Sequence, residues 1–195
     1  MKVAGQKRKW LGEVSAYTLA GGLVSGMMGA AFGTLGGLLM PGKVGPLETS
    51  LIFGVGVTAL ARELRWVRFP IPQWKRQTRD YWAKVFPGVV AAMLWGLDLG
   101  FTLTTRLTFS GIWLLVVTAI AIGDPWFAGA LFVAYWLGRA LSVWMAPLLM
   151  PDAMATPDVL DAISSHSRLF RRAHVVGLIW SVVVLMIVFV SDSGL

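Results

Sequence analysis

The stretch VSAYTLAGGLVSGMMGAAFGTLGGLLMPG, residues 14–42, carries no charged side chain, and glycines recur in it at Gly22, Gly26, Gly29, Gly33 and Gly36. An uncharged apolar run of about 18 residues or more is long enough to cross the hydrocarbon core of a bilayer as a helix. Alternating steps of four and three residues keep the five glycines on one helical face. Such a bare stripe lets a second helix approach closely, which matters in lipid, where helix association rests on contact and interhelical hydrogen bonding rather than on exclusion from water. The run is about twice the ~7–15-residue apolar core of a cleaved secretory signal, and more apolar segments follow it. It reads as a mature transmembrane helix with a packing face.

The rest of the chain has the same character. Hydrophobic residues make up 56% and charged residues 14%, with a mean hydropathy of +0.70. The net charge of +7 is concentrated in two places: Lys2, Lys7, Arg8 and Lys9 precede the first apolar run, and Arg62, Arg65, Arg68, Lys75, Arg76, Arg79 and Lys84 crowd one later segment. Positively charged short loops stay in the cytoplasm, so the charge sets orientation. No basic helix, stacking motif or binding fold accompanies it, and a nucleic-acid role is not expected. The absence of cysteine excludes disulfides, thiolate metal sites, thiol relays and cysteine nucleophiles within this chain.

Apolar periodicity and its interruptions place helices at about 13–40, 47–66, 85–105, 108–123, 126–150 and 173–191. Pro41-Gly42 and Gly45-Pro46 form a turn, Pro70 and Pro72 an extended segment, Gly123-Asp124-Pro125 a helix-connecting turn capped by Asp124, and Pro151 and Pro157 open the last loop. Trp10, Trp66, Trp82, Trp126 and Trp144 fall near these ends, where an amphipathic ring suits the headgroup zone. The fold expected is all-α, a polytopic transmembrane bundle of about six spans. Residues 1–12 form a basic cytoplasmic segment, residues 13–191 a single membrane domain with loops at 62–84 and 151–172, and residues 192–195 a tail. Six spans from a cytoplasmic N-terminus put 151–172 outside, although that loop ends in Arg168, Arg171 and Arg172. If residues 85–123 cross once, as a broken or re-entrant segment, the count is five and the conflict disappears.

The least ordinary stretch is WGLDLGFTLTTR, residues 95–106, with an acid inside an apolar segment, glycines on both sides, and threonines and a base at its end. A charge at the bilayer centre costs about 2.5–3.5 kcal/mol on insertion scales and usually faces the bundle interior with a partner. Asp98 and Arg106 are eight residues apart, a rise of about 12 Å and an offset of about 80° on a continuous helix. They do not pair there. Arg139, inside the later apolar run, is the expected partner of Asp98, as a buried structural pair or as part of a proton, ion or substrate site. His166 and His174 match no common metal-ligand spacing. No His-Glu-x-x-His, Gly-x-Ser-x-Gly or phosphate-binding glycine loop is present, so no metal, cofactor or catalytic residue is expected.

Pro70-Ile71-Pro72-Gln73, Arg76-Gln77, Trp95 through Phe101, Gly123-Asp124-Pro125 and Gly138-Arg139-Ala140-Leu141 resemble a group of bacterial multi-pass membrane proteins of unassigned function. More distantly, the glycine-rich helices resemble the transmembrane family of cytochrome c biogenesis and thiol–disulfide interchange proteins. The resemblance implies a compact helical bundle in a bacterial cytoplasmic membrane. That family's paired cysteines have no counterparts here. The expected function is a non-enzymatic integral membrane subunit or assembly factor, its partners the lipid bilayer and other membrane subunits or itself. The alternative is a small transporter or proton- or ion-coupled permease using Asp98 with Arg139 or Arg106.

Overall fold

The computed structural model describes residues 2–40, 45–68, 81–101, 110–149, 172 and 175–184. Its regular structure is helical: α1 (Lys2–Leu39), α2 (Pro46–Glu63), α3 (Tyr81–Val85), α4 (Gly88–Gly100), α5 (Gly111–Ile122) and α6 (Pro125–Leu149), with a further apolar helix at Val175–Val184. The first helix starts well before the expected position 13. Nothing between Lys2 and Val14 stops it, since that segment has no proline and is rich in good helix formers. Two helices are long and apolar enough to cross a membrane, Lys7–Leu39 and Pro125–Met145, while Gly88–Gly100, Gly111–Ile122 and Val175–Val184 are apolar but shorter.

Local chemistry sets the helix ends. Pro46 occupies the first turn of α2, where its missing N–H costs nothing, and the Glu48 carboxylate accepts the Gly45 N–H at 2.9 Å. At the other end of α2, Arg65 sits at φ 65, and the Trp66 N–H reaches back to the Ala61 carbonyl at 2.9 Å, a left-handed stop of the kind usually made by glycine. Between α5 and α6, Gly123 takes φ 67, and the Asp124 carboxylate accepts the Phe127 N–H at 2.7 Å. The cap expected at Asp124 is therefore present, followed by Pro125 at the first helical position.

Helix α1 is the axis of the bundle, packing against α4, α5 and α6, whereas α2 packs on α5. Its neighbours meet it in an ordered sequence. Gly22 lies beside Trp136, Gly26 beside Val133, Gly29 against Ala128 and Phe132, and Gly33 against Asp124 and Pro125, so α6 runs antiparallel to α1. Gly88 lies against Glu13, Gly96 against Tyr17 and Gly100 against Gly21, so α4 runs parallel to α1 along its first half. The tight Gly123 turn makes α5 antiparallel to α6, and thus parallel to α1. Gly36 meets Ile120 and Gly37 meets Gly123, so α5 covers the second half. The two short helices are stacked end to end along one long one.

Side-chain size is sorted by face. Gly21, Ser25, Gly29, Gly33 and Gly36 of α1 are buried, while Leu19, Leu23 and Met27 are 64% to 73% exposed. Water would drive the large side chains inward at about 25 cal/mol per Å² of apolar surface. Here the small ones are inside because they allow backbones to touch, and the large ones form the outer surface. Phe132 and Trp136 of α6 are fully buried against this glycine face.

Candidate functional site

The structure does not join Asp98 to Arg139. Gly96 and Gly100 turn one face of α4 onto α1, and Asp98, two residues from each, stands about 200° around the helix from that face. Arg139 belongs to α6, which also packs on α1. Its guanidinium carbon lies 6.0 Å from the centre of the Trp136 ring. Among the described residues Arg139 makes no ion pair with Asp98. The glycines beside Asp98 serve close approach to α1. Arg106 lies outside the described residues.

A buried acid that the sequence reading passed over occupies a more organised place. The buried stripe of α2 runs Thr49, Ile52, Gly56, Ala59 and Glu63, in steps of three and four, so Glu63 stands where another apolar residue is due. Glu63 is 7% exposed. Its Oε1 accepts the Ser110 N–H at 3.0 Å and the Ser110 hydroxyl at 2.8 Å, and pairs with the Arg62 guanidinium at 3.1 Å. Ser110 is itself buried, and its Oγ also lies 3.2 Å from the Ala59 carbonyl. Ser110 is the N-cap residue of α5, so the carboxylate closes a helix N-terminus, where unpaired N–H groups and the helix dipole both favour an anion. The three-four spacing leading into Glu63 was the signal that could have revealed it.

A second set of polar contacts joins α1 to α6. The Trp136 indole N–H donates to the Thr18 carbonyl at 2.8 Å, the Trp144 indole N–H donates to the Thr18 hydroxyl oxygen at 3.0 Å, and Ser25 donates to the Phe132 carbonyl at 3.0 Å. Tyr17 packs on Trp136 with ring centres 5.0 Å apart, and Trp10 meets Trp144 edge-on at 5.9 Å. The glycines permit the approach that makes these bonds possible: a Cβ on Gly29 would run into the Ala128 carbonyl, and one on Gly36 into the Ile120 carbonyl. Gly21 and Gly37, which the regular stripe omitted, are equally close to neighbours. The Trp113 Nε1 is buried with no acceptor among the described residues. Among the described residues no three His, Asp or Glu side chains converge, and the polar atoms that do converge hold one helix to another.

Comparison with known proteins gives a partial likeness. The chain is 30% identical over 145 residues to the methylamine utilization protein MauF of Paracoccus denitrificans, covering 73% of this chain and 52% of that protein. It is 28% identical over 144 residues to MauF of Paracoccus versutus, covering 73% and 53%. The chain thus spans about half the length of the curated relatives it matches. Neither relative is named for thiol–disulfide exchange, so that finer part of the resemblance gains nothing from them. No family model matches the chain, and no solved structure matches it.

Proposed function

We propose that this chain is a multi-pass protein of a bacterial cytoplasmic membrane that works without catalysis, as a subunit or assembly factor, in the kind of system its relatives are named for, methylamine utilization. The observation that carries the reading is the sorted packing of α1. Its small-residue face is consumed by α4, α5 and α6, while its leucines and Met27 face outward, the arrangement a lipid surround favours. Ser25, Glu63, Ser110 and the Trp136 indole spend their polar atoms on interhelical bonds, which supports a scaffolding role. The permease alternative, built on Asp98 with Arg139 or Arg106, finds no support in the relatives.

The stagger of α4 and α5 along α1 supports five crossings. At 1.5 Å per residue, α4 and α5 measure about 20 and 18 Å, each short of a bilayer core of about 30 Å, whereas their sum passes it. Read as one crossing in two pieces, they put the N-terminus, the basic segment 62–84 and the segment 151–172 on the cytoplasmic side, with Arg168, Arg171 and Arg172 obeying the charge rule. Purification from the native membrane in mild detergent, with identification of what accompanies the chain, tests the role: a chain that comes out alone and untouched by crosslinking contradicts a subunit. Single cysteines introduced into this cysteine-free chain test the topology. Leu160→Cys and Gln73→Cys should be shielded from an impermeant reagent outside intact cells and Val44→Cys should react; labelling of position 160 from outside returns the count to six.

A further inference from the structure

Arg139 is the only charged residue of α6, a helix without a single acid. Its side chain is half-buried, its guanidinium carbon lies 6.0 Å from the centre of the Trp136 ring, and among the described residues no carboxylate pairs with it. A chain of contacts fixes its depth. The Trp136 indole donates to the Thr18 carbonyl, the Thr18 hydroxyl accepts the Trp144 indole N–H, and Trp144 meets Trp10 edge-on. Arg139 stands about 8 Å along α6 from Trp144, just inside the end of the bundle where amphipathic rings suit the headgroup zone. The charge that α1 brings to the same end is lopsided: Lys7, Arg8 and Lys9 are exposed, and the one acid of α1, Glu13, is turned to Gly88 at the start of α4.

We infer that Arg139 binds the headgroup phosphate of an anionic phospholipid at this end of the bundle, with Lys7, Arg8 and Lys9 drawing such lipids to it. A cation within an apolar span is costly without a partner, and none of the described carboxylates is one. A long side chain about 8 Å inside the tryptophan level is placed to snorkel toward the headgroups, where the planar guanidinium fork suits two phosphate oxygens at once. The Trp136 ring, held by its bond to Thr18, gives the cation a fixed platform before the lipid arrives. Exposed basic residues at a membrane surface concentrate anionic lipids, and the acyl chains keep the headgroup at the site's depth, which a free phosphate from water lacks. The inference rests on the membrane reading above and is independent of the partner reading.

The test is equilibrium binding of radiolabelled phosphatidylglycerol to the full chain in a neutral detergent, with phosphatidylcholine and inorganic phosphate as competitors. Saturable binding is expected, with phosphatidylcholine weaker and inorganic phosphate ineffective at the lipid's concentration. Arg139→Gln should weaken phosphatidylglycerol by about tenfold or more, the loss of a hydrogen bond to a charged group. Arg139→Lys, which keeps the charge and loses the fork, should fall between the two. Replacing Lys7, Arg8 and Lys9 together by glutamine should weaken binding less than Arg139→Gln does. Absent binding, equal affinity for phosphatidylcholine, displacement by inorganic phosphate at the lipid's concentration, or binding that follows the three N-terminal residues and ignores Arg139 each overturns the inference. If Arg139→Gln does not fold, Arg139→Lys decides: wild-type affinity in it overturns the bidentate site. A chain released from membranes by alkaline carbonate overturns instead the membrane reading beneath it.

Discussion

Replacing Glu63 probes the contact that holds α2 to the start of α5. In Glu63→Gln the amide oxygen can still accept the two Ser110 donors now at 3.0 and 2.8 Å, but the charge is gone. Hydrogen bonds to a charged group contribute about 1.5–3 kcal/mol and neutral ones about 0.5–1.5, so the two together lose about 2 kcal/mol. The Arg62 side chain is 24% exposed, and losing its ion pair adds at most about 1 kcal/mol. Glu63→Leu removes the acceptor altogether and strands the buried Ser110 N–H, which brings the loss to about 4 kcal/mol. Ser110→Ala deletes one of the donors, so a cycle with Glu63→Gln should show a coupling of about 1 kcal/mol or more. The assay is unfolding of the purified chain as denaturing detergent is titrated into mild micelles, followed by tryptophan fluorescence. Wild-type stability in Glu63→Leu, or additivity of the two changes in the cycle, would falsify the assignment of Glu63 as the anion closing α5.

The packing of α1 predicts opposite outcomes for one substitution at two glycines: Gly29→Ala, against the Ala128 carbonyl, should cost about 1–3 kcal/mol through overpacking, whereas Gly138→Ala, with nothing within 4 Å, should stabilise by about 0.5–1 kcal/mol through helix propensity. The same detergent titration checks both, and equal shifts in one direction sink the argument. Trp113→Phe removes a buried N–H that has no acceptor while keeping an aromatic ring, so it should be neutral or stabilising by up to about 1 kcal/mol; a loss above 2 kcal/mol would mean the indole nitrogen is bonded. At Arg65, held at φ 65, the rank of stability should be Gly, then Arg, then Val, because relief of left-handed strain of about 1–2 kcal/mol exceeds the entropy cost of glycine of about 0.5–1. Any order that puts Val first contradicts the helix stop.

Where sequence reading worked, a periodic signal stood on an uncharged background. The α1 glycines and the Gly123-Asp124-Pro125 turn fall in this class, because a missing side chain, a left-handed backbone and a cap each have few alternatives. Gly21 and Gly37 escaped the four-three count because α1 meets several neighbours on several faces, and Gly21 touches both Trp136 and Gly100. For Asp98 and Arg139 the sequence offered less: apolar runs say which segments are helical, not which charges meet, and no ion pair joins the two among the described residues. Glu63 was hidden by its company, since Arg62 and Arg65 make the end of α2 look like a solvated basic loop. The three-four stripe of α2 points it inward, and the contact with Ser110, distant in sequence, shows what it meets there.

That contact also explains why an acid belongs there in the proposed five-crossing arrangement. A crossing made of α4 and α5 creates two helix ends inside the bundle, and backbone groups away from water cost several kcal/mol each if unpaired. The N-terminus of α5 exposes N–H groups and the positive end of a helix dipole. Its own N-cap serine makes no side-chain bond to the following turn, because the hydroxyl is committed to Glu63 and Ala59. The missing acceptor is supplied from α2, whose buried stripe of small and apolar residues ends in a carboxylate at that level. Arg62, one residue earlier and nearer the surface, keeps the carboxylate from being an isolated charge. Carboxylate, arginine and N-cap serine thus tie the end of α2 to the start of α5.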